Sequence, residues 1–174
     1  MRLFFTLFLL LTTIGLMGQQ VEDLKVNFKI KNIGTYAKGS FSESQIEGTF
    51  NQNQLSTSYL RALIEVKSVD TGIAKRDKHL LEADYFDLTS YPNIEFISSR
   101  IEQVSEKTFV VHGTLEIKGK KRKTSLELTL THEANATLVR SEFEIRRKDY
   151  GVGSKSWILS DKVKAEIQFR ICTQ

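Results

Sequence analysis

Apolar and polar residues alternate along most of this chain, whereas the spacing typical of an amphipathic helix is almost absent. The alternation is clearest in residues 60–67, 109–117 and 163–171. A period of two places every second side chain on one face of a β-strand. With few strong breaks and about eight such segments, the pattern predicts an all-β, antiparallel barrel or sandwich rather than βαβ units.

Alternation does not distinguish a filled sandwich from a hollow barrel, because both present one apolar row per strand. The rows mix the small residues Ala62, Gly113 and Ala165 with large Phe and Leu side chains. A barrel of about eight strands is wide enough to hold one small ligand. The residues alone therefore leave both architectures open.

A polar segment, residues 68–98, separates two of the strand-like runs. It begins with Ser68, Asp70 and Thr71, any of which can cap backbone N–H groups, and good helix formers follow. We expect a helix of two to three turns within a short helical insert near residues 73–86. An element of this length suits a plug or side cover for a barrel.

Residues 1–18 have the composition of a secretory signal peptide, since Arg2 is followed by an apolar stretch and the small Gly18. The stretch is short for a membrane span, which makes a signal-anchor helix the weaker alternative. We therefore expect cleavage near Gly18, one domain over residues 19–174, and a periplasmic or secreted location. The single cysteine, Cys172, cannot form an internal disulfide.

Three sets of motifs occur in order: RDKHL, DYFD and YPNIEF in residues 76–96, GTLEIKGKKRKTSLELTL in residues 113–130, and RRKDYG in residues 146–151. Together they resemble the YceI-like family over residues 26–171. The resemblance implies a secreted, antiparallel, lipocalin-like closed barrel whose apolar channel holds a long-chain lipid. True lipocalins carry an early Gly-x-Trp signature, whereas the only tryptophan here is Trp157.

The family's Arg-x-Asp-aromatic-Gly element is matched by Arg147, Asp149, Tyr150 and Gly151. Glycines two residues apart let the chain bend sharply at a barrel rim, and Asp149 can hydrogen-bond the exposed amides of that bend. One departure concerns the first strand. Many family members have a His-Ser type pair near the channel there, whereas this chain has KNIG at residues 31–34.

The inward rows and the resemblance together indicate an apolar binding interior. We expect the lipid tail to contact Phe28, Ile30, Phe50, Leu60, Ala62, Ile64, Val66, Phe86, Ile94, Phe96, Val111, Leu115, Ile117, Leu128, Phe143, Ile145, Ile167 and Phe169. We expect the head group or the rim of the channel to involve Arg76, Asp77, His79, Arg147, Asp149 and Tyr150. For Arg76 and Asp77, the alternative is that each ties the insert to the barrel wall.

Other chemistries have little support in the sequence. The histidines lack the paired spacing of a metal site, and no Gly-x-Ser-x-Gly elbow occurs. Residues 70–72 form the Asp-Thr-Gly triplet of aspartic proteases, but catalysis would need a symmetric dimer to supply the second carboxylate. We expect no enzyme, no metal, and no cofactor other than a bound lipid such as a polyprenyl or quinone molecule.

The densest basic cluster, KGKKRK at residues 118–123, lies between two strand-like runs and contains a glycine. A solvated hairpin turn is the simplest interpretation, and transient contact with an anionic membrane surface is the functional alternative. Nucleic acid is not expected, because a nucleic-acid site would need aromatic platforms beside the charges. The oligomeric state is left open.

We therefore predict a non-enzymatic protein that binds, stores or transports a long-chain amphiphile, either an isoprenoid, an isoprenoid quinone or a fatty-acyl lipid. One alternative is a secreted structural or stress-related protein whose self-filled barrel acts through a protein partner. A second alternative is an enzyme that acts on a lipid inside the channel.

Overall fold

The computed structural model describes residues 20–172, which form one antiparallel sheet that curls round on itself. The signal peptide predicted for residues 1–18 lies outside the described residues. The strands are β1 (Gln20–Asn32), β2 (Thr35–Phe41), β3 (Ser44–Thr49), β4 (Tyr59–Glu65), β5 (Val69–Asp70), β6 (Asn93–Gln103), β7 (Thr108–Ile117), β8 (Lys120–His132), β9 (Ala136–Arg146) and β10 (Leu159–Cys172), and helix α1 spans Ala74–Leu80.

The sheet closes because β10, the last strand, pairs with β1 as well as with β9. On its other edge, β1 pairs with β2 over most of its length and with Thr49 of β3 at Gln20. Strands β2 and β3 thus act as one wall strand, bent at Ser42 and Glu43. The predicted antiparallel all-β barrel is confirmed, and residues 20–172 contain ten strands where about eight were expected. The break at Ser42 and Glu43 lies within the turn predicted for residues 42–45, whereas the two-residue strand β5 was not predicted.

Burial follows the predicted alternation most strictly in β7 and β8. In β7 every second residue is buried from Phe109 to Ile117. At the end of the barrel where β1 begins, the rings of Phe50 and Phe109 pack edge to face with their centroids 5.2 Å apart. Both side chains are fully buried, so they form a packed floor.

The insert between β5 and β6 contains the predicted helix, but α1 ends earlier than expected. The chain reverses after Leu80, where the N–H of Phe86 donates to the Leu80 carbonyl at 3.0 Å. The expected side-chain cap of the helix is also absent, because Ile73 occupies the N-cap position. Asp70 instead accepts a hydrogen bond from the N–H of Gly72 at 2.7 Å, which makes the Asp-Thr-Gly triplet a turn.

Aromatic side chains seat the insert on the barrel. Phe86 turns inward and meets Phe41 of β2 edge to face, with centroids 6.0 Å apart. Leu80 and Tyr85 also pack against the core cluster. The insert therefore covers part of the barrel interior, as predicted. No helix among residues 20–172 is long and apolar enough to cross a membrane.

Two tight hairpins have left-handed backbone at both central residues. Lys118 and Gly119 have φ of 49° and 68° and join β7 to β8, which confirms the predicted hairpin in the basic cluster. Ile33 and Gly34 have φ of 40° and 77° and join β1 to β2. Such turns favour Asn-Gly, and a β-branched residue with positive φ is strained. Ile33 is therefore poorly suited to its backbone.

We expect Ile33→Asn to stabilise the fold by about 1 kcal/mol, because asparagine tolerates the left-handed region that isoleucine does not. Urea unfolding at equilibrium measures the change. Ile97, an exposed isoleucine within β6, provides the matched control. Ile97→Asn should not raise the free energy of unfolding. An equal change in the free energy of unfolding for the two variants would contradict the strain at Ile33.

Candidate functional site

The interior of the barrel holds a cavity of about 540 Å³, a size typical of ligand sites. Its wall is mainly apolar and comes from nearly every strand of the barrel. The predicted tail contacts that line it are Phe28, Ile30, Leu60, Ala62, Ile64, Phe86, Ile94, Phe96, Val111, Leu115, Ile117, Leu128, Phe143, Ile145, Ile167 and Phe169. The barrel is thus hollow, which alternation alone did not decide.

Two residues predicted as tail contacts, Phe50 and Val66, do not line the cavity. Phe50 lies in the floor, where it packs on Phe109. Val66 is buried in a single 3-10 turn after β4, and its N–H donates to the Pro92 carbonyl at 2.9 Å. Both residues therefore belong to the packed core and not to the cavity wall. The alternation along a strand shows which side chains point inward, but not how far along the barrel each one lies.

Polar groups gather at the opposite end of the cavity, where β1 ends and β10 begins. Asn32, Arg76, His79 and Ser156 all line the cavity there. Asn32 Oδ1 is buried and finds no hydrogen-bond partner among the described residues. The site prediction missed Asn32, although it continues the inward parity of Phe28 and Ile30 in β1. An unpaired acceptor in this position suits a hydroxyl or other donor on a ligand.

Arg76 and Asp77 converge on one residue, Thr71, which follows β5. Arg76 donates from Nε to Thr71 Oγ1 at 2.7 Å and from Nη2 to the Thr71 carbonyl at 2.8 Å. Asp77 accepts from the Thr71 N–H at 2.9 Å and from its hydroxyl. Of the two, Arg76 lines the cavity and Asp77 does not. This geometry favours the alternative in which both tie the insert to the barrel wall.

His79 lines the cavity and lies at the surface of α1. Its Nδ1 is 2.9 Å from Glu82 Oε2, and its ring meets Tyr85 edge to face at 4.7 Å between centroids. His79, Glu82 and Asp84 each offer a ligand atom, and these atoms lie within 4.8 Å of one another. All three residues are exposed, and exposed acidic groups often lie together, so the cluster does not by itself establish a metal site.

Arg147 is 4% exposed and lines the cavity from the 3-10 turn that follows β9. Its Nη1 donates to the carbonyls of Val152 at 2.9 Å and Ser154 at 3.0 Å, and its Nε donates to that of Ser160 at 2.9 Å. Its Nη2 lies 3.2 Å from Asp161 Oδ1. Arg147 therefore holds the loop before β10 in place.

The remaining predicted rim residues, Asp149 and Tyr150, differ in placement. Asp149 is exposed and does not line the cavity. The amides of the bend that it was expected to bind donate to carbonyls instead, as the Gly153 N–H does to Asp84 at 2.8 Å. Tyr150 is buried and lines the cavity, and burial raises the pKa of its phenol above its ordinary value, partly offset by a hydrogen bond with Thr124. Tyr150 is thus a neutral group at neutral pH.

Three segments meet near this end of the barrel through the β7–β8 hairpin. Lys118 donates to the carbonyls of Ala83 in the insert at 2.7 Å and Gly151 in the loop before β10 at 3.1 Å. A Cβ on Gly153 would lie 2.7 Å from Arg147 Nη1 and 3.0 Å from the Tyr85 ring. The insert, the hairpin and the loop are therefore packed as one cover over the cavity.

We expect Arg147→Met to destabilise the fold by about 3 kcal/mol, because it leaves three carbonyls without their charged donor. Arg146→Met is the matched control, since Arg146 is the adjacent exposed arginine, and its cost should stay below about 0.5 kcal/mol. Urea unfolding measures both. Equal stability of the two variants would contradict the anchoring role of Arg147.

The pKa of Asp161 lies below its ordinary value, chiefly because Lys148 hydrogen-bonds to it, with the charge of Arg147 adding to the effect. A lowered folded-state pKa stabilises the fold above the unfolded pKa, and this contribution is lost as the pH falls through the folded value. We therefore expect the stability deficit of Asp161→Asn to shrink between about pH 6 and pH 3. Urea midpoints at both pH values test this, and a constant deficit would contradict it.

Comparison with known proteins supplies the family. The sequence matches the YceI-like domain over residues 20–171. A UPF0312 protein of Yersinia enterocolitica is 30% identical over 134 residues, which cover 73% of this chain and 69% of that protein. Among three curated relatives, the aligned region spans between 49% and 69% of their lengths.

Two solved structures share the fold. BcnA of Burkholderia cenocepacia superposes with a TM-score of 0.81 at 24% identity, covering 86% of this chain and 98% of that one. A polyisoprenoid binding domain from Saccharophagus degradans, implicated in plant cell wall breakdown, superposes with a TM-score of 0.68 at 15% identity, covering 90% and 99%. The fold agrees with the sequence match over residues 20–171, and the chain therefore belongs to the YceI-like domain family.

Proposed function

We propose that this protein is a non-enzymatic carrier that binds one long-chain amphiphile inside its barrel. The observation that carries the proposal is the apolar cavity of about 540 Å³ in the barrel interior. Its likeness in fold to a polyisoprenoid binding domain supports the same conclusion. The ligand classes that fit are an isoprenoid, an isoprenoid quinone or a fatty-acyl lipid.

The binding free energy would come mainly from transfer of hydrocarbon out of water, which is worth about 0.8 kcal/mol per buried methylene group. A long tail can therefore bind tightly with few polar contacts. For the same reason, an apolar wall discriminates poorly between lipids of different chain length, because each methylene group changes the affinity by only a small factor. Selectivity among lipids then rests on the polar end of the cavity.

At that polar end, Asn32 is the group best placed to receive a lipid head. Asn32 lines the cavity, and its Oδ1 is a buried acceptor that finds no partner within residues 20–172. Arg76 already gives two donors to Thr71, and Arg147 gives three to backbone carbonyls. We therefore assign the head group first to Asn32, with Arg76 and Arg147 supplying positive charge nearby.

The cavity favours the carrier over the two alternatives. A self-filled barrel would have its interior occupied by its own side chains, whereas small residues such as Ala62 and Ala165 border open space here. For an enzyme, the lone thiol offers little: the pKa of Cys172 is raised because Glu22 accepts its hydrogen bond, which disfavours the reactive thiolate. A periplasmic or secreted location belongs to the proposal and rests on the leader-like composition of residues 1–18.

Filling the cavity tests the proposal without adding a charge. We expect Ala62→Trp to reduce uptake of palmitic acid, menaquinone or undecaprenol by at least about tenfold, because the indole takes the space of the tail. Leu63→Trp is the matched control, since Leu63 is the next residue of β4 and does not line the cavity. Native mass spectrometry measures bound lipid, and urea unfolding verifies that both variants fold.

A folded Ala62→Trp variant that binds every probe as well as the Leu63→Trp control would contradict a carrier that uses this cavity. Solvent extraction of the protein from its native host adds an independent readout. A stoichiometric polyprenyl, quinone or acyl species would identify the cargo. A protein that carries no lipid and takes up none of the three probes would favour action through a protein partner.

A further inference from the structure

Four large exposed side chains lie on the β1–β2 hairpin and on the loop before β10, two segments that contact each other. They are Trp157 at 95% exposure, Ile33 at 70%, Ile158 at 58% and Tyr36 at 50%. The two segments are joined by a hydrogen bond from the Ile33 N–H to the Ile158 carbonyl at 3.1 Å. We call these four residues the apolar tip. Single exposed apolar residues are ordinary, but several on two adjoining segments favour an interaction site.

The apolar tip is also where the backbone departs from its preferences. Ile33 has a φ of 40°, in a turn that asparagine would occupy without strain. Strain of this kind persists where the surrounding structure or the function requires the side chain. The isoleucine thus projects apolar surface into solvent from a position that costs stability.

The same two segments form the lip of the cavity. Asn32 precedes Ile33 in the chain and lines the cavity, and so do Lys155, Ser156 and Ile158. The apolar tip therefore borders the polar end of the cavity. A lipid that entered or left the barrel at this end would pass directly beside the tip.

The barrel wall behind the tip carries a row of lysines in cross-strand register. Lys29 of β1 lies opposite Lys38 of β2 on one side and Lys164 of β10 on the other. All three are exposed, and none forms an ion pair within the part of the chain that the structure describes. Like charges directly opposite one another are unfavourable. On β9 the row ends at Glu144, whose carboxylate already binds Lys162 at 2.8 Å.

Further positive charge lies at the tip itself. The Lys155 ammonium sits 5.5 Å from the centre of the Trp157 ring, and Lys31 pairs with Tyr36 across the hairpin. Tryptophan and tyrosine beside lysines are the combination that places a protein at a membrane interface, where rings enter the head-group layer and cations meet anionic lipids.

We propose that the apolar tip and the lysine row dock this protein onto an anionic membrane surface, with the polar end of the cavity facing the lipid. This inference rests on the proposed function, since docking would bring the cavity to its cargo. The basic β7–β8 hairpin is a weaker candidate for the contact. Its Lys118 is held by two backbone carbonyls and its Lys121 lies 3.4 Å from Glu116.

The chain carries its own probe, because Trp157 is its only tryptophan. We expect vesicles of phosphatidylcholine with phosphatidylglycerol to shift the tryptophan fluorescence of the natively processed protein to shorter wavelength. We also expect the protein to sediment together with these vesicles. Because the lysine row acts through charge, binding should weaken steeply with added salt and with vesicles of phosphatidylcholine alone. No shift and no sedimentation with the anionic vesicles would overturn the proposal, as would equal binding to both kinds of vesicle.

Two variants separate docking from folding. Ile33→Asn should lower vesicle affinity by about tenfold while the fold becomes more stable, so unfolding cannot explain the loss. Lys29→Gln should lower affinity for anionic vesicles and reduce the salt dependence. The matched controls are Val104→Asn and Lys107→Gln, which alter exposed residues of the β6–β7 turn. Controls that lose as much affinity as the tip variants would overturn the assignment of the surface.

Other occupants of the tip give different results. If the tip joins two copies of this chain, the protein will elute as a dimer without vesicles, Ile33→Asn will make it a monomer, and the docking proposal fails. The carrier function is tested separately, by uptake of palmitic acid, menaquinone and undecaprenol from solution without vesicles. Uptake of any probe with no vesicle binding overturns docking alone. Vesicle binding with no uptake of any of the three overturns the carrier function and removes the reason given for docking, while the membrane contact itself remains.

Discussion

Strand β1 is hydrogen-bonded along both edges, to β10 on one side and to β2 and β3 on the other, and the barrel depends on this double pairing. An open sheet would bury its apolar face only by packing against another layer. Closure buries that face against itself and removes the exposed edges. Because the wall is closed, small side chains such as Ala62 and Ala165 leave a cavity instead of collapsing onto a neighbouring layer.

Apolar side chains of the insert pack the cover onto the core, and polar contacts tie the segments of the cover to one another. Arg147 binds three backbone carbonyls, Lys118 binds two, and Arg76 and Asp77 share Thr71. These charged groups bind the loops around the opening of the cavity, and the wall of the barrel stays apolar. Hydrogen-bonding groups are thus concentrated at the rim and apolar side chains in the interior, which suits a site for hydrocarbon.

Sequence patterns predicted the wall well, because the burial of each side chain in β7 and β8 follows directly from a period of two. Other features depend on positions that a local pattern does not contain. The two-residue strand β5 is defined by its pairing with β2, and the early end of α1 by hydrogen bonds beyond Leu80. Parity also separates inward from outward residues without giving depth, so Phe50 and Phe169 looked alike, although Phe50 lies in the floor and Phe169 lines the cavity. Asn32 was overlooked because it is polar, although it continues the inward parity of β1.

The pairing of Gln20 with Cys172 joins the two ends of the described chain. A contact between residues so distant in sequence forms only after a large loss of chain entropy, which slows folding. Among the described strands β1 is synthesised first, and its partner β10, fourteen residues long, is synthesised last. Until then β1 presents an unpaired edge to any other strand, which is an aggregation hazard. The order of the described strands thus makes β10 the segment whose pairing with β1 ends that hazard.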